Sequence, residues 1–406
     1  MNDVNVVGLG YVGLPLAVIA AQKGFKVTGF DIDEFKINQL KNGHADIPGI
    51  TEHELLNLQN IGKLNFVKTL PKRTCPSIFV IAVPTPLDDK RNPDLKYLRE
   101  ACLKISESIA DGSIVISEST SYVGTLRDFI MPLVEKFSTA KDLNFAVAPE
   151  RIDPGNDKWN LLNTPRVVSG ITKQASNLAT EFYSVFCNQV IQVSSPEVAE
   201  TSKLLENTFR QVNIALVNEI AALAKTLNIS MHEVVDAASS KPFGYMEFRP
   251  GIGVGGHCIP VDPVYLSYTG DKNNIQMELV KLSNLKNYSQ VKYVLNYLIS
   301  ILNGSISGKK IQIVGIAYKK NVSDVRESPA IELIYELRKL GAIVLWHDPI
   351  VKEFNDEKSQ SLQLEIDLGV ILTPHEGINF QAWSGIKDKL VDFSSGKQIL
   401  GLSKFF

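Results

Sequence analysis

The first half of the chain alternates short runs of β-branched and other apolar residues with stretches in which apolar residues recur at helical spacing. Each apolar run is short enough for one strand and is followed by turn-forming or acidic residues. The runs occupy residues 4–7, 26–30, 78–83, 113–117 and 144–148. Strands that alternate with helices predict an α/β domain, in which a parallel sheet carries helices on both faces.

The pattern changes after Ser195. Residues 196–228 predict one long helix, because apolar residues recur at helical spacing with no internal Gly or Pro, and Ser195 before Pro196 is a suitable cap. Residues 241–263 are rich in Gly and Pro and predict an irregular loop. Beyond a polar segment at 303–308, residues 310–318, 331–340 and 342–346 predict strand, helix and strand. We therefore expect two doubly wound domains joined by a long central helix.

Composition excludes several classes of protein. With 42 Lys and Arg against 44 Asp and Glu, the net charge is −2, so no general field attracts nucleic acid or an anionic membrane. No apolar stretch approaches the roughly 20 residues of a membrane-spanning helix, and no signal peptide is evident, so we expect a cytoplasmic protein. The 4 cysteines lack CxxC spacing and predict free thiols, and the 6 histidines are too dispersed to predict a metal site.

A glycine-rich turn after the first strand carries the clearest chemical signal. Gly8, Gly10 and Gly13 are spaced as GxGxxG, with Tyr11 and Val12 between the last two. In this context glycines form a tight turn, admit a pyrophosphate close to the backbone, and let the helix pack closely, which predicts a Rossmann-type dinucleotide site. Asp31, at the end of the next strand, is suited to the ribose hydroxyls and repels a 2′-phosphate, which favours NAD over NADP. A glycine turn without a ligand is the simpler alternative.

Cys258 lies in the run Gly251-Ile-Gly-Val-Gly-Gly-His-Cys-Ile-Pro-Val-Asp262. An isolated cysteine is more often a small buried apolar residue than a nucleophile. Here the glycine-dense loop allows a ligand to approach the backbone, and Asp262 follows closely. A thiol beside a hydride acceptor predicts oxidation of an alcohol through the aldehyde to a carboxylate. We interpret the adjacent His257 as structural.

Further polar residues occupy the places where doubly wound folds bind ligands. Lys203 and Asn207 share one face of the long helix and are suited to stabilising an oxyanion, although a solvated polar face is the usual explanation. Pro84 and Thr85 follow one predicted strand, Thr120 follows another, and Glu150 and Arg151 follow a third. The first two loops are candidates for the nicotinamide pocket, and a carboxylate after the third could orient a hydrolytic water.

Taken together, these motifs resemble the UDP-glucose/GDP-mannose dehydrogenase family over nearly the whole chain. The motifs are GLGYVGLPLA at 8–17, VPTP at 83–86, SEST at 117–120, APER at 148–151, Lys203 with Asn207, GVGGHCIPVDP at 253–263 and AYKKNVSDVRESP at 317–329. The resemblance implies that an NDP-sugar, two NAD and water give the NDP-uronic acid and two NADH. It also implies an NAD-binding Rossmann domain at 1–195, a central helical dimerisation domain with the cysteine loop at 196–303, and a UDP-sugar domain at 304–406.

The resemblance also implies residue roles. Cys258 is the nucleophile, Lys203 and Asn207 stabilise the oxyanion, and Asp262 supports acid-base work with an ordered water. Thr120 and Glu150 match positions that place the water hydrolysing the thioester. Substrate contacts fall to Glu150, Arg151, Lys203, Asn207, Arg249, Gly255 and Lys319, and cofactor contacts to the glycine turn with Asp31, Pro84, Thr85, Thr120 and Arg326. The long helix is implied to form a homodimer.

The choice of sugar rests on local sequence. Pro149-Glu150-Arg151 with Pro154-Gly155-Asn156, and His257 before the cysteine, resemble the branch that oxidises UDP-N-acetylhexosamines for surface polysaccharides. We favour UDP-N-acetylglucosamine; the manno and galacto isomers and UDP-glucose are the alternatives. Two other functions remain open from the residues themselves: a two-electron hydroxy-acid dehydrogenase with Lys203 as proton relay, and an NAD-responsive binding protein without turnover.

Overall fold

A computed structural model of the protein describes residues 1–45, 47, 49–152, 158–395, 399–402 and 405. The chain forms two compact units. Unit 1 comprises Met1–Glu206 and Tyr268–Asn273, and unit 2 comprises Asn207–Ser267 and Asn274–Phe406. The three-domain division expected from the sequence stays a prediction.

Unit 1 is built on an eight-stranded sheet in the order β3-β2-β1-β4-β5-β6-β7-β8. The strands are β1 Asp3–Val7, β2 Lys26–Phe30, β3 Leu64–Val67, β4 Ile78–Ile81, β5 Ile114–Ser117, β6 Asn144–Val147, β7 Arg166–Gly170 and β8 Val190–Gln192. Five of them confirm predicted strands. The predicted strands pair in parallel with one another, whereas β7, which was not predicted, pairs antiparallel with β6.

Helices cover both faces of this sheet. They are α1 Gly13–Gln22, α2 Glu34–Lys41, α3 Glu52–Asn60, α4 Lys96–Ser108, α5 Met131–Phe137, entered through a π-helical segment Leu126–Ile130, and α6 Lys173–Ser184. Neighbouring residues of each central strand face opposite cores: Val6 and Val80 pack in one apolar cluster, and Val7 and Ile81 in the other. This explains why the runs are mostly apolar and do not alternate with polar residues, since a sheet buried on both faces has no polar side.

Unit 2 carries a smaller, wholly parallel sheet in the order β10-β9-β13-β14. Its elements are α8 Met231–Ser239, α10 Glu278–Ile301, β9 Lys310–Val314, α11 Pro329–Lys339, β10 Ile343–His347, the short β11 Glu353–Phe354 and β12 Glu357–Lys358, β13 Leu368–Ile371, a 3-10 segment Phe380–Lys389 and β14 Leu390–Asp392. Two helices include residues of both units: α7 Pro196–Thr226 and α9 Asp262–Lys272. The predicted long helix and second βαβ unit are confirmed, whereas α8, α9 and α10 were not anticipated.

The first turn of the unit 2 sheet also contains a glycine with a positive φ, and a strand-ending acid binds the backbone of this turn. Gly315 follows β9 with a φ of +82°, and a Cβ there would lie 1.9 Å from the carbonyl oxygen of Thr373. Asp348, after β10, accepts backbone N–H bonds from Ile316 at 2.9 Å and Ala317 at 3.3 Å. Its carboxylate also bonds buried His375 at 3.0 Å. In unit 2 the acidic group at the strand end is thus already engaged by the protein.

Candidate functional site

In unit 1, the three glycines of the first turn meet different local demands. Gly8 has a φ of +95°, and a Cβ there would lie 2.6 Å from the carbonyl oxygen of Ala82. A Cβ on Gly13 would lie 1.9 Å from the carbonyl oxygen of Gly8, whereas a Cβ on Gly10 would meet no atom within 4 Å. Gly8 and Gly13 are therefore required by the fold, and Gly10 leaves open space beside the backbone. Tyr11 and Val12 complete the turn, and α1 begins without a side-chain cap from Val12.

Asp31 ties this turn to the end of β2. Its carboxylate accepts N–H bonds from Leu9 and Asp33, both at 3.0 Å, and forms an ion pair with Lys36 at 3.0 Å. The side chain of Asp31 is only 10% exposed. The acidic group predicted for the ribose therefore lies against the glycine turn. Lys36 was not singled out from the sequence, because it lies one helical turn beyond the strand end.

The loops after β4 and β5 are bonded to each other. The hydroxyl of Thr85, which follows Pro84, donates to the carbonyl oxygen of Thr120 at 2.6 Å. The hydroxyl of Ser119 donates to the carbonyl oxygen of Val83 at 2.7 Å. Thr120 also lines a small pocket within unit 1. The pocket is lined by Ser117, Ser119, Thr120, Ser121, Val147, Pro149, Glu200 and Lys203.

Lys203 enters this pocket from α7 and is buried, with 8% of the residue exposed. Glu200, one turn earlier, accepts N–H bonds from Gly124 at 2.6 Å and Leu126 at 3.1 Å. Burial raises the pKa of Glu200 to about 7, although these two bonds oppose the shift. The structure thus brings Thr120 and Lys203 together in one pocket and surrounds them with polar groups.

Glu150 and Arg151 follow β6 as expected. One oxygen of Glu150 accepts the N–H groups of Arg151 and Ile152, both at 2.6 Å, and the other bonds the guanidinium of Arg166 at 2.7 Å. Arg151 forms an ion pair with Glu206 of α7 at 2.7 Å. The segment with Pro154, Gly155 and Asn156, on which the choice of sugar partly rested, lies outside the described residues.

In unit 2, Cys258 lies directly before α9. Its carbonyl oxygen accepts the N–H groups of Val261 at 3.1 Å and Asp262 at 2.8 Å, and its exposure is intermediate. Asp262 begins the helix, and its carboxylate accepts a bond from the amide of Asn207 at 2.5 Å. The structure therefore places three of the predicted catalytic residues in consecutive contact, through the backbone of Cys258 and the side chains of Asp262 and Asn207.

The loop before Cys258 is packed closely against a second loop of unit 2. A Cβ on Gly255 would lie 2.7 Å from Cβ of Tyr318, and one on Gly256 would lie 2.9 Å from the Tyr318 ring. The N–H of Gly256 donates to the carbonyl oxygen of Arg326 at 3.0 Å. Glycine is required at both positions because a larger residue would push the cysteine loop away from Tyr318.

Two amide side chains that the sequence did not reveal hold the start of this loop. Asn218 of α7 accepts the N–H of Gly251 at 2.9 Å, and Gln290 of α10 donates to the carbonyl oxygen of Gly251 at 3.0 Å. Near the other end, the hydroxyl of Tyr288 donates to the carbonyl oxygen of Pro260 at 3.1 Å. The signal available in the sequence was a set of polar residues at helical spacing, which a solvated helix face would also produce.

The remaining predicted residues also lie in unit 2, and Arg326 contacts the cysteine loop. Arg326 pairs with Asp324 at 2.6 Å and lies 3.0 Å from Nδ1 of His257. Arg249 pairs with Glu247 at 2.6 Å and with Asp236. Lys319 follows Tyr318 in the turn after β9 and is half-buried. The roles assigned to these residues stay predictions.

Within residues 1–45, 47, 49–152, 158–395, 399–402 and 405, no three His, Cys, Asp or Glu side chains cluster as metal ligands. In the same ranges no helix is long and apolar enough to cross a membrane.

The glycine turn, the engaged acid at the end of β2 and the doubly wound sheet define a dinucleotide-dependent enzyme. Comparison with known proteins agrees. Three models of the UDP-glucose/GDP-mannose dehydrogenase family match: the NAD binding domain at residues 2–187, the central domain at 197–289 and the UDP binding domain at 312–399.

Individual relatives span most of the chain. Protein CapL of Staphylococcus aureus is 35% identical over 389 residues, which cover 92% of this chain and 90% of CapL. UDP-N-acetyl-D-glucosamine 6-dehydrogenase of Pseudomonas aeruginosa is 35% identical over 86% of this chain and 83% of its own. The structure of UDP-D-ManNAc dehydrogenase from Pyrococcus horikoshii superposes with a TM-score of 0.86 and 32% identity, covering 96% of this chain and 95% of that one.

The chain belongs to the UDP-glucose/GDP-mannose dehydrogenase family. It is an NAD-dependent oxidoreductase that acts on a UDP-sugar. NAD supplies the hydride acceptor, and the open space at Gly10 and the acid at Asp31 fit a dinucleotide of this kind. The predicted family, fold class and cofactor are thereby confirmed.

Proposed function

We propose that this enzyme oxidises the carbon-six alcohol of a UDP-N-acetylhexosamine, in particular UDP-N-acetylglucosamine, to the uronic acid in two hydride transfers. The observation that carries the proposal is the chain of contacts from Asn207 through Asp262 to the backbone of Cys258. It links the cysteine of the glycine-rich loop to a carboxylate, which can exchange protons, and to an amide, which can donate a hydrogen bond to an oxyanion. The acid would serve the synthesis of surface polysaccharides.

In this proposal the thiol of Cys258 holds the aldehyde as a thiohemiacetal, so that the aldehyde is not released. Loss of a second hydride gives a thioester, and water then releases the acid and restores the thiol. Asn207 and Lys203 stabilise the negative oxygen that forms on the substrate carbon, and Asp262 exchanges protons with it. Thr120 and Glu150 position the water. Both hydride steps require NADH to be exchanged for NAD while the sugar stays bound.

We propose that separate sets of residues bind the cofactor and the nucleotide sugar. Gly8, Gly10, Gly13, Asp31, Pro84, Thr85 and Thr120 would contact NAD together with Tyr11, Val12 and Arg326. Arg151, Arg249, Gly255 and Lys319 would contact the nucleotide sugar. Support for an N-acetylated sugar comes from the UDP-N-acetyl-D-glucosamine and UDP-N-acetyl-D-mannosamine dehydrogenases among the relatives, and from His257 beside the nucleophile.

The decisive experiment incubates the protein with NAD and a panel of UDP-sugars and counts NADH per molecule of product. The proposal expects two NADH per uronic acid, with UDP-N-acetylglucosamine preferred over its manno and galacto isomers. Cys258→Ser should abolish net turnover, whereas Cys75→Ser, at an exposed cysteine, serves as the matched control. One NADH per sugar with free aldehyde as product, or full activity in Cys258→Ser, would contradict the mechanism and favour a two-electron dehydrogenase.

We also propose a homodimer formed through α7. Five apolar side chains between residues 205 and 223 of this helix are at least 40% exposed, which is unusual for large aliphatic and aromatic groups on one helix. They are Leu205, Phe209, Leu216, Ile220 and Leu223. An exposed apolar row over several turns is typical of a surface that another protein covers, and a second copy is the occupant that the family resemblance favours.

Light scattering after gel filtration tests the dimer. Leu216→Glu should convert the protein to monomers, whereas Phe137→Glu, at an equally exposed apolar residue near the end of α5, should leave the dimer intact. A monomeric wild type, or a Leu216→Glu variant that still elutes as a dimer, would contradict this proposal.

Four free thiols are consistent with a cytoplasmic location, which we propose for the enzyme.

A further inference from the structure

A buried cluster of charges lies directly behind Glu150 in unit 1. Arg166 begins β7, and only 4% of its side chain is exposed. Its guanidinium lies 2.7 Å from one oxygen of Glu150 and 3.6 Å from an oxygen of Glu118, whose side chain is fully buried. The antiparallel register sets Val147, the last residue of β6, opposite Ser169 near the end of β7. The start of β7 therefore runs alongside the segment that follows β6, which brings Arg166 beside Glu150.

Arg166 is held from several sides. It donates to the carbonyl oxygen of Ala148 at 3.2 Å, at the end of β6. Its guanidinium carbon lies 5.0 Å from the centre of the Tyr183 ring, within cation-π range. The Tyr183 hydroxyl donates to Glu118 at 2.5 Å, which fixes the second carboxylate. A guanidinium with this many fixed neighbours has one geometry, and so does the carboxylate that bonds it.

Of the two carboxylates near Arg166, Glu150 is its ion-pair partner at hydrogen-bond distance. Two carboxylates compete for one buried cation, and a buried charge is tolerated only when it is paired. Burial raises the pKa of Glu118 to about 7 in spite of Arg166, and the charge of Glu150 adds to the shift. Near neutral pH Glu118 is therefore the carboxylate that readily takes up a proton. The closest carboxylate partner of Arg166 is Glu150, at 2.7 Å.

We propose that Arg166, backed by Glu118 and Tyr183, is a positioning residue that holds the Glu150 carboxylate in the orientation that the hydrolytic step needs. This inference rests on the proposed function. In that step the water oxygen bonds to the acyl carbon while Glu150 takes a water proton, and the carbon–sulfur bond breaks to leave the thiolate of Cys258. Both hydrides have left the sugar by then, so the step is redox-neutral.

The test compares Arg166→Lys with wild type by rapid-mixing kinetics with NAD and the preferred UDP-sugar. Lysine keeps the charge but cannot reproduce the planar fork that bonds Glu150 and the Ala148 carbonyl together. We expect kcat to fall at least about tenfold with the KM for the sugar changed less than about threefold. We also expect an early burst of two NADH per site and a sugar-acyl adduct on Cys258, detected by intact mass.

Three further variants make the outcome decisive. Glu150→Gln should accumulate the same adduct, and Arg127→Lys, which alters an exposed ion pair with Glu197, should behave as wild type. Tyr183→Phe changes the cluster less than Arg166→Lys does, and it should slow hydrolysis with the same adduct even if Arg166→Lys fails to fold.

Several results would overturn the inference. An adduct in Glu150→Gln but not in Arg166→Lys or Tyr183→Phe would remove Arg166 from this role while leaving the proposed function intact. A proportional loss of burst and turnover without adduct would show a merely structural role. Absence of NADH from wild type with every UDP-sugar would refute the proposed function itself.

Discussion

Gly10 and Gly13 offer a paired test of the glycine turn, because the structure assigns them opposite sensitivities. A methyl group on Gly13 would lie 1.9 Å from the carbonyl oxygen of Gly8. Ordinary carbon–oxygen contacts are about 3.3 Å or longer, so the helix start would have to move by more than about 1 Å. A methyl group on Gly10 meets no atom within 4 Å, and its φ lies outside the left-handed region.

The expected magnitudes follow from these contacts. Overpacking of this kind costs about 1–3 kcal/mol, and for a unit of roughly 200 residues each kcal/mol lowers the Tm by about 2–4 °C. Gly13→Ala should therefore lower the Tm by about 2–12 °C. Gly10→Ala should change stability by less than about 1 kcal/mol, in either direction. It should nevertheless weaken NAD binding at least about tenfold, since the methyl group occupies space that the pyrophosphate needs.

Differential scanning calorimetry without ligand and isothermal titration with NAD measure the two effects separately. Gly24→Ala, at the positive-φ end of the turn after α1, gives a variant in which backbone strain acts far from the ligand. It should lower the Tm without changing the affinity of the folded protein. Wild-type NAD affinity in Gly10→Ala would refute the assignment of this open space to the cofactor, and an unchanged Tm in Gly13→Ala would refute the steric argument.

Three further predictions concern single side chains. Because the folded protein holds Glu200 at a raised pKa, its free energy of unfolding should fall as pH rises from about 4.5 to about 7, and urea titrations should show a flatter profile for Glu200→Gln. Asn218→Ala should destabilise the protein by about 1–2 kcal/mol by leaving the N–H of Gly251 unpaired, and alkylation of Cys258 should become faster. Asp31→Asn should raise kcat/KM with NADP relative to NAD at least about tenfold, measured by initial rates, and an unchanged ratio would contradict its role at the ribose.

Much of the fold was predictable because local patterns determine it. The five predicted strands of unit 1 are buried along most of their length and are mostly apolar, since both faces of the sheet are covered. The long helix α7 was recognisable from its periodicity and its clear start at Pro196. The glycine turn was recognisable because a strand, three spaced glycines and a strand-ending acid occur together. Gly8 and Gly13 have steric reasons in the structure, and Gly10 leaves open space.

What could not be predicted depends on pairing between distant segments. Nothing in the residues around Arg166 indicates that β7 runs antiparallel beside β6, so its contact with Glu150 is invisible in the sequence. The amides of Asn218 and Gln290 likewise resemble a solvated helix face until two helices are packed together. A polar residue that serves another segment leaves no periodic trace, because its partner lies far away along the chain.

The two hydrogen bonds to Gly251 couple the position of the cysteine loop to the packing of two helices. Asn218 of α7 binds the N–H of Gly251 and Gln290 of α10 binds its carbonyl oxygen, so the peptide units on both sides of this residue are fixed by different helices. A small shift of α7 or α10 along its axis would either move Gly251, and with it the start of the cysteine loop, or break one of these two hydrogen bonds. Substitutions that change the packing of α7 against α10 can therefore change the position of the Cys258 thiol without altering any residue that contacts the sugar.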